Sequence, residues 1–430
     1  MTQAGNPLLT PAAFQRTVYP ASRVSSVARS ESRKVAPKEI EDYQVLHYSI
    51  PNVQQYEAGL MEDGSDIDSD KWLIERAVVL VSRLNPRKGT VIHVDHGGEF
   101  AVASTEFVPL CTGNKGDDRL LAYILGSQVV ASYLDSMARS TTRSHQRVQP
   151  SQIRALGVPW AKNAEDRRAI VDFLDRETAQ IDAMIEAQAE VVRLADERRA
   201  AVVAEEIGRF GTKSPAVALR HCLRVQAGVT LGNQYAEDLT EYPYLRVANV
   251  QAGYLDLEVV KTICVPSGVA AASTLQPGDV LITEGGDRAA LGRGALWRGE
   301  IPGALHQNHI FALRCGPLLD PEFLVYVLEA PNARIYFEST RRQTTNLSST
   351  NSAKVKAFKT PLPTISEQRR IVERLGQALG RVDDVIASAQ QVITLLRERR
   401  EALITAAVTG RIDPVTGIER VVPTTEMEAS

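Results

Sequence analysis

An internal repeat constrains the fold of this chain more than any other feature of its sequence. At an offset of 201 residues, positions 166–206 align with positions 367–407 without a gap, and twelve positions are identical. About two or three identities would be expected by chance, so a duplication explains the match. The identical pairs include Ile170 and Ile371, Leu174 and Leu375, Asp182 and Asp383, Ile185 and Ile386, Leu194 and Leu395, and the triplets Glu197-Arg198-Arg199 and Glu398-Arg399-Arg400.

Both copies have the pattern of one long helix. Asn163 and Thr364 are favourable N-cap residues, and each is followed three positions later by an acidic residue, as in a capping box. No proline interrupts either stretch, and Gly208 and Gly410 are the predicted stops. At a rise of 1.5 Å per residue, each helix would be a rod of about 65 Å. The predicted helices cover residues 163–208 and 364–410.

Apolar residues in the second helix recur in steps of four and three, which is typical of a coiled-coil seam. They are Leu375, Leu379, Val382, Ile386, Ala389, Ile393, Leu396 and Leu403. The first helix keeps the phase but places Thr178 and Gln188 at seam positions. We expect the two helices to form an antiparallel coiled coil related by a pseudo-two-fold axis. Taken alone, the two helices do not distinguish a purely structural coiled coil from one that has a role in recognition.

The segment before each helix is turn-rich and strand-like, and the two segments share short stretches of similar sequence. Between these stretches the sequences diverge, as expected for two copies of one scaffold that carry different surfaces. The matching stretches are Leu120–Leu125 with Phe323–Leu328, both predicted as a short helix; Thr141-Thr142 with Thr344-Thr345; Ile153–Leu156 with Val355–Phe358; and Asn52–Gln54 with Asn249–Gln251.

These patterns predict an α+β fold of two β-rich domains separated by the two long helices. In the second domain we predict strands at Tyr244–Val250, Val280–Ile282 and His306–Leu313, with a turn at Pro277-Gly278-Asp279. We expect residues 1–38 to be an arm or disordered. The predicted domains cover residues 1–162 and 209–363, and residues 411–430 form a C-terminal tail.

The composition limits the classes of protein to which this chain can belong. With 44% hydrophobic and 23% charged residues, no long apolar run and no signal-peptide pattern, the chain is expected in the cytoplasm. Its four cysteines lack the spacing of a metal site or a disulfide framework. The net charge of -3 means that any charge for binding phosphates must be local or supplied by a partner.

Two segments are locally basic. Residues 334–359 contain six basic residues and one acidic residue, and residues 139–154 contain four arginines and no acidic residue. Each segment is compatible with DNA binding or with a merely solvated face.

Together these residues resemble the specificity subunits of type I restriction-modification systems, over nearly the whole chain. The stretch Glu367–Gly410, with its Leu395-Leu396-Arg397-Glu398-Arg399-Arg400 core, is similar to the family's distal conserved helix. Tyr244–Val250, Pro277–Ile282 and His306-Gln307-Asn308 are similar to the conserved frame of a target-recognition domain.

The resemblance implies a subunit that reads a bipartite site in double-stranded DNA, with one target-recognition domain for each half. It further implies two methyltransferase (modification) subunits as partners, which carry S-adenosylmethionine and methylate adenine. Restriction subunits with translocase activity can join such a core. The chain itself would have no cofactor, no catalytic residue and no membrane association. The alternative is a coiled-coil adaptor protein without DNA specificity.

Side chains for reading bases are concentrated in two loops. Arginine pairs with guanine, and asparagine or glutamine pairs with adenine, in the major groove. Residues 341–346 are the densest such run in the second domain, and residues 141–147 occupy the equivalent place in the first. The alternative is that the threonines are scaffold and the basic residues contact only phosphates. The predicted DNA-binding residues are Arg143, Gln146, Arg147, Arg341, Arg342, Gln343, Asn346, Lys354 and Lys356.

A methyltransferase is the obvious enzymatic alternative. Asp320-Pro321-Glu322-Phe323 resembles a base-holding clamp, but a glutamate replaces its second proline, so we predict an ordinary helix cap. Gly292-Arg293-Gly294 lacks the third glycine of a cofactor loop. No nucleoside-triphosphate loop is found.

The sequence gives little support for a metal site. The acidic stretch 62–70 carries Lys71 and Ala77 where a calcium loop needs glycine and glutamate. The histidine pairs at 93 and 96 and at 306 and 309 have no further ligands at fixed spacing. We therefore predict neither a catalytic site nor a metal site.

Overall fold

Two units make up the chain in the computed structural model. The first consists of Met1–Ala187 and Val392–Ser430, and the second of Gln188–Gln391. Each long helix therefore contributes one part to each unit. No helix in the described part of the chain is long and apolar enough to cross a membrane. The structure describes residues 8–15, 17–30, 32–95, 100–138, 146–211, 214–233, 235, 238–286, 292–340, 342–343 and 348–420.

The described residues of the first unit form ten strands. They are β1 (Ala21–Arg23), β2 (Lys34–Val35), β3 (Gln44–Tyr48), β4 (Leu60–Asp63), β5 (Lys71–Ile74), β6 (Val78–Ser82), β7 (Val91–Val94), β8 (Ala101–Ser104), β9 (Phe107–Leu110) and β10 (Gly157–Pro159). The helices that begin in it are α1 (Val24–Val27), α2 (Ile50–Tyr56), α3 (Lys115–Gly126), α4 (Gln128–Met137), α5 (Pro150–Ala155) and α6 (Ala164–Gly211).

These ten strands form three sheets. A five-stranded sheet has the order β2-β5-β8-β3-β4, and a three-stranded sheet has the order β7-β6-β9. β3 pairs antiparallel with β4 and parallel with β8, whereas β6 pairs antiparallel with both neighbours. β1 and β10 form an antiparallel pair beside the start of α6.

The second unit contains the remaining elements. Its strands are β11 (Ala216–Ala218), β12 (Leu223–Ala227), β13 (Thr240–Leu245), β14 (Lys261–Val265), β15 (Asp279–Thr283), β16 (Gly285–Gly286), β17 (Gly294–Leu296), β18 (Leu305–His306), β19 (Ile310–Cys315), β20 (Arg342–Gln343), β21 (Ser348–Ser349) and β22 (Lys359–Pro361). Its helices are α7 (Ser267–Ser273), α8 (Pro321–Glu329), α9 (Pro331–Thr340), α10 (Ser352–Ala357) and α11 (Ile365–Val408), the last of which ends in the first unit.

The second unit repeats the pairing scheme of the first. β13 pairs antiparallel with β14 and parallel with β18, as β3 does with β4 and β8. β15 lies between antiparallel neighbours β17 and β19, as β6 lies between β7 and β9. β11 pairs with β22 as β1 pairs with β10. The predicted fold class, with its internal repeat, is therefore confirmed even where the two sequences have diverged.

The two long helices pack antiparallel in each unit. In the first unit, Ile170 and Leu174 of α6 share a buried cluster with Ile404 and Ala407 of α11. Further along α6 in the same unit, Asp182 forms an ion pair with Arg400. Residue numbers therefore increase along α6 where they decrease along α11, which is the antiparallel arrangement. In the second unit, Arg199 pairs with Asp383, and Glu206 further along α6 pairs with Arg374, so the helices run antiparallel there too.

The helix ends follow the predicted signals except at one position. Thr364 and Glu367 close a cap, because the Glu367 carboxylate accepts a hydrogen bond from the Thr364 N–H at 2.9 Å. Gly410 has a left-handed φ of 77°, and the bond from the Arg411 N–H to the Ala406 carbonyl at 2.8 Å completes the helix terminus. The predicted stop at Gly208 is wrong, because α6 continues to Gly211.

Two other expectations are corrected. The part of residues 1–38 that the structure describes is folded, because Phe14 and Val24 are buried in the core of the first unit. The predicted strand Tyr244–Val250 ends at Leu245. Asn249 ends it, because its side chain accepts the Arg246 N–H at 2.9 Å and donates to the Asp256 carbonyl at 2.8 Å, which closes a turn.

Candidate nucleic-acid interface

In the first unit, the end of the predicted 141–147 loop lies beside the turn that follows β6. The Asn85 N–H donates to the Gln146 carbonyl at 2.8 Å, and the Val148 N–H donates to the Arg83 carbonyl at 3.0 Å. Gln146 and Arg147 are thus held at the end of a central strand by backbone bonds. Arg143 lies outside the described residues.

Arg147 is part of an ion-pair cluster. Its guanidinium contacts the Glu106 carboxylate at 3.1 Å, and Arg83 contacts the same carboxylate at 2.9 Å. Burial opposes ionisation of Glu106, but the hydrogen bonds from Arg147 and Arg83 outweigh it and hold the pKa of this carboxyl below its usual range. The cluster therefore carries two positive charges and one negative charge, so one net positive charge remains at the surface.

In the second unit, the equivalent segment forms a small sheet. β20, which contains Arg342 and Gln343, pairs with β21, and β21 pairs with β16 directly after the central strand β15. The Thr350 N–H donates to the Glu284 carbonyl at 2.8 Å, which joins the same two parts of the chain. Arg341 and Asn346 lie outside the described residues.

The two lysines of α10 have different surroundings. The Lys354 ammonium donates to the Thr340 carbonyl at the end of α9, and Asn351 caps the helix by accepting the Lys354 N–H at 3.0 Å. Lys354 therefore ties α10 to α9, whereas Lys356 is exposed. The assignment of both lysines to DNA binding stays a prediction, as it does for the other residues of the two loops.

Ion pairs at equivalent positions join the long helices. Asp182 meets Arg400 at 2.9 Å in the first unit, and Asp383 meets Arg199 in the second. Arg199 also contacts Glu329 of α8 at 3.0 Å, which links the second domain to the coiled coil. Burial raises the pKa of the Glu329 carboxyl, and Arg199 only partly offsets this effect.

A cleft of about 1130 Å³ in the second unit lies among α6, α11 and the loops around Gly253 and Gly292. Its charged lining has both signs, since Arg193, Arg199 and Arg334 stand with Glu197, Glu329 and Asp383 among others. A DNA channel requires a surplus of positive charge, so the cleft lacks the electrostatic character of a phosphate-binding site.

The tetrad that resembles a methyltransferase clamp is a helix cap. The Asp320 carboxylate accepts the N–H groups of Glu322 and Phe323 at 3.0 and 3.3 Å, with Pro321 in the first turn of α8. This prediction is confirmed. Within the described ranges, no group of three or more His, Cys, Asp or Glu side chains could hold a metal ion.

The sequence reasoning missed the turn Asn85–Gly89 of the first domain. Its Asn-Pro step and its glycine are turn signals, and Arg87 and Lys88 between Pro86 and Gly89 are exposed. Only the structure shows that this turn adjoins Gln146 and Arg147.

Comparisons with known proteins agree with this architecture. No protein-family model matches the chain. The chain is 26% identical over 194 residues to the type I restriction enzyme StySPI specificity subunit of Salmonella potsdam, a match that covers 43% of this chain and 40% of the relative. It is 25% identical over 180 residues to the EcoKI specificity subunit of Escherichia coli, covering 40% of this chain and 36% of the relative. The chain thus spans about two-fifths of the length of these curated relatives.

A solved structure extends the likeness to nearly the whole fold. A chain from a type I restriction-modification system, solved to explain complex assembly and conformational transition, matches 91% of this chain and 97% of its own length. The TM-score is 0.51 at 18% sequence identity, so the likeness concerns the fold. The resemblance to type I specificity subunits that the sequence predicts is confirmed.

Proposed function

We propose that this chain is the DNA-recognition subunit of a type I restriction-modification complex, with each β-rich domain reading one half of a bipartite site. One observation carries the proposal: both domains have the same strand-pairing scheme, yet the segments beside β6 and β15 have different sequences. A shared frame with two different surfaces is suited to reading two different half-sites. A coiled-coil adaptor without DNA specificity would not need this combination.

We further propose that two copies of a methyltransferase subunit bind the helices. Three apolar positions are exposed on α6, and the positions 201 residues later on α11 are apolar and exposed too. Exposed apolar side chains that recur in this way mark interaction surfaces, and equivalent surfaces accept identical partners. The pairs, with exposures between 37% and 55%, are Met184 and Val385, Val191 and Val392, and Leu194 and Leu395.

The chemistry belongs to the partners in this proposal. S-adenosylmethionine would bind the methyltransferase subunits, and this chain alone would transfer no methyl group. The capping role of Asp320 supports this view, since both of its hydrogen bonds to α8 would be lost if it held a base. Calorimetry on the purified chain is expected to detect no stoichiometric S-adenosylmethionine binding, and a tight one-to-one isotherm would refute this part of the proposal.

The decisive experiment is to co-purify the chain with its methyltransferase partner and map methylated adenines in DNA. We expect methylation at a two-part motif with a fixed unread spacer, and no such pattern with the methyltransferase alone. Replacement of the segment 139–148 by the corresponding segment of a related chain should change one half of the motif and leave the other unchanged. Methylation with the same pattern in the absence of this chain would refute the proposal.

A further inference from the structure

The turn after β6 in the first unit presents two basic side chains on a rigid backbone. Asn85 and Gly89 both adopt left-handed conformations, with φ of 49° and 57°, and Pro86 fixes the start of the short 3₁₀ turn between them. A Cβ at Gly89 would lie 3.3 Å from the Gly126 carbonyl oxygen, so the turn packs closely on the end of α3. Arg87 and Lys88 therefore project from a turn whose shape is fixed.

Neither positive charge is paired with a carboxylate of the residues that the structure describes. Among the residues that the structure describes, neither Arg87 nor Lys88 forms an ion pair, and both are exposed. The Lys88 ammonium donates to the neutral amide oxygen of Gln54 at 2.8 Å, and Gln54 in turn donates to Thr90 at 2.9 Å. Lys88 is thus oriented without being neutralised, unlike Arg83 and Arg147, which share Glu106.

The turn lies beside the loop that the sequence assigns to DNA. The hydrogen bond from the Asn85 N–H to the Gln146 carbonyl and the backbone bridge between Leu84 and Arg147 join the two segments. In the second unit, Glu284–Gly286 occupies the same place after β15, where β16 pairs with β21. The frame is therefore repeated: the bond from the Val148 N–H to the Arg83 carbonyl in the first domain corresponds to the bond from the Thr350 N–H to the Glu284 carbonyl in the second.

We propose that the turn Asn85–Gly89 is a second DNA-contacting segment of the first domain, with Arg87 and Lys88 on backbone phosphates of its half-site. The inference rests on the proposed function and adds residues that hold the domain in place on the duplex. Phosphate contacts fix the register and orientation of a protein on DNA but carry no sequence information themselves. The neighbouring loop would read the bases from that fixed position.

The test uses the complex of the full chain with its methyltransferase subunits and a duplex that contains the mapped target. The double variant Arg87→Ala/Lys88→Ala should lower affinity by about tenfold for each lost contact, because a hydrogen bond to a charged group has about that effect. It should also reduce the slope of log K against log salt by about 1.8, since each phosphate contributes about 0.9. The methylated motif should be unchanged.

A matched control removes the same charge elsewhere in the unit. Arg29 and Lys38 are exposed basic residues outside both segments, so Arg29→Ala/Lys38→Ala should leave affinity and salt slope close to those of the wild type. Arg87→Lys/Lys88→Arg keeps both charges and should retain the wild-type slope. If the alanine variant does not assemble, Arg87→Gln/Lys88→Gln removes the same charges with longer, polar side chains.

The outcomes separate the inference from the proposed function. A wild-type salt slope in both charge-removing variants, or an equal loss in the control, would overturn the phosphate contacts. A changed methylation motif would show that the two side chains read bases, and loss of the methyltransferase subunits would show that they bind protein; either result would overturn the assignment. If the wild-type complex shows no preference for any sequence, the proposed function itself fails.

Discussion

Arg199 and Arg400 occupy equivalent positions in the repeat but should differ greatly in their contribution to stability. Both pair with an aspartate on the other helix, Arg199 with Asp383 and Arg400 with Asp182. Their second partners differ: Arg199 contacts Glu329 at 3.0 Å, whose side chain is 9% exposed, whereas Arg400 reaches Glu401 only at 4.0 Å, whose side chain is 38% exposed. Substitution by methionine keeps the side-chain volume and removes the charge at each position, so the two variants form a matched pair.

The magnitudes follow from the burial of the group left behind. Arg199→Met leaves the buried Glu329 carboxylate without its cationic partner, and removal of one partner from a buried ion pair costs about 3–5 kcal/mol. Arg400→Met leaves Asp182, which is 50% exposed and remains hydrated. An exposed pair of this kind contributes at most about 1 kcal/mol. We therefore expect Arg199→Met to be the more destabilising by about 3 kcal/mol.

Two further measurements identify the cause. The double variant Arg199→Met/Glu329→Leu should recover most of the loss, because it no longer buries an unpaired charge. Burial already raises the pKa of Glu329, and loss of Arg199 should raise it further. A group with a raised folded-state pKa favours the folded state at low pH, so the penalty of Arg199→Met should shrink as the pH falls from 8 to 5.

Urea denaturation of the full chain gives the free energies, and hydrogen exchange of the α8 amides shows whether the loss lies in the second unit. Equal destabilisation by Arg199→Met and Arg400→Met, at every pH between 5 and 8, would refute the reasoning.

Three further substitutions of single residues give stability predictions. His306 is fully buried, neither ring nitrogen has a hydrogen-bond partner among the described residues, and burial lowers its pKa to about 4. Because the unfolded chain takes up the proton near pH 6.5, acid should destabilise the fold between these values by up to about 3 kcal/mol. His306→Leu should remove this pH dependence from urea unfolding curves, and an unchanged dependence would show that other groups cause it. Gly410→Ala should cost more than about 1 kcal/mol, since its φ is 77° and a Cβ would lie 2.7 Å from that of Val18. Gly208→Ala, inside α6 with nothing within 4 Å of the new Cβ, should instead stabilise the chain by about 0.5–1 kcal/mol, and thermal unfolding distinguishes the two signs.

The long helices could be predicted from the sequence because their signals are local and repeated. The cap at Thr364 and the stop at Gly410 act within a few residues, and the seam spacing is visible over many turns. Gly208 shows the limit of such reasoning. Glycine lowers helix stability by only about 1 kcal/mol, and the burial of Ile207 beside it outweighs that cost.

The first domain could not be read in the same way. Its strands have two to five residues, and the central strand β6 is buried at every position, so the alternation that identifies a strand is absent. The candidate interface depends on pairing between distant segments, such as Asn85 with Gln146. Such contacts are set by topology, which neither composition nor periodicity reveals.

The repeat itself explains why the helices pair antiparallel. If the two copies lay parallel in register, Asp182 would face Asp383 and Arg199 would face Arg400, which places like charges against each other. Antiparallel pairing instead joins Asp182 to Arg400 and Asp383 to Arg199, so the same identities become two attractive pairs, one in each unit. Like charges at facing positions of a coiled coil select against one orientation and opposite charges favour the other. A duplicated helix that keeps an aspartate near its middle and an arginine nearer its end therefore specifies the orientation of its partner as well as its own fold.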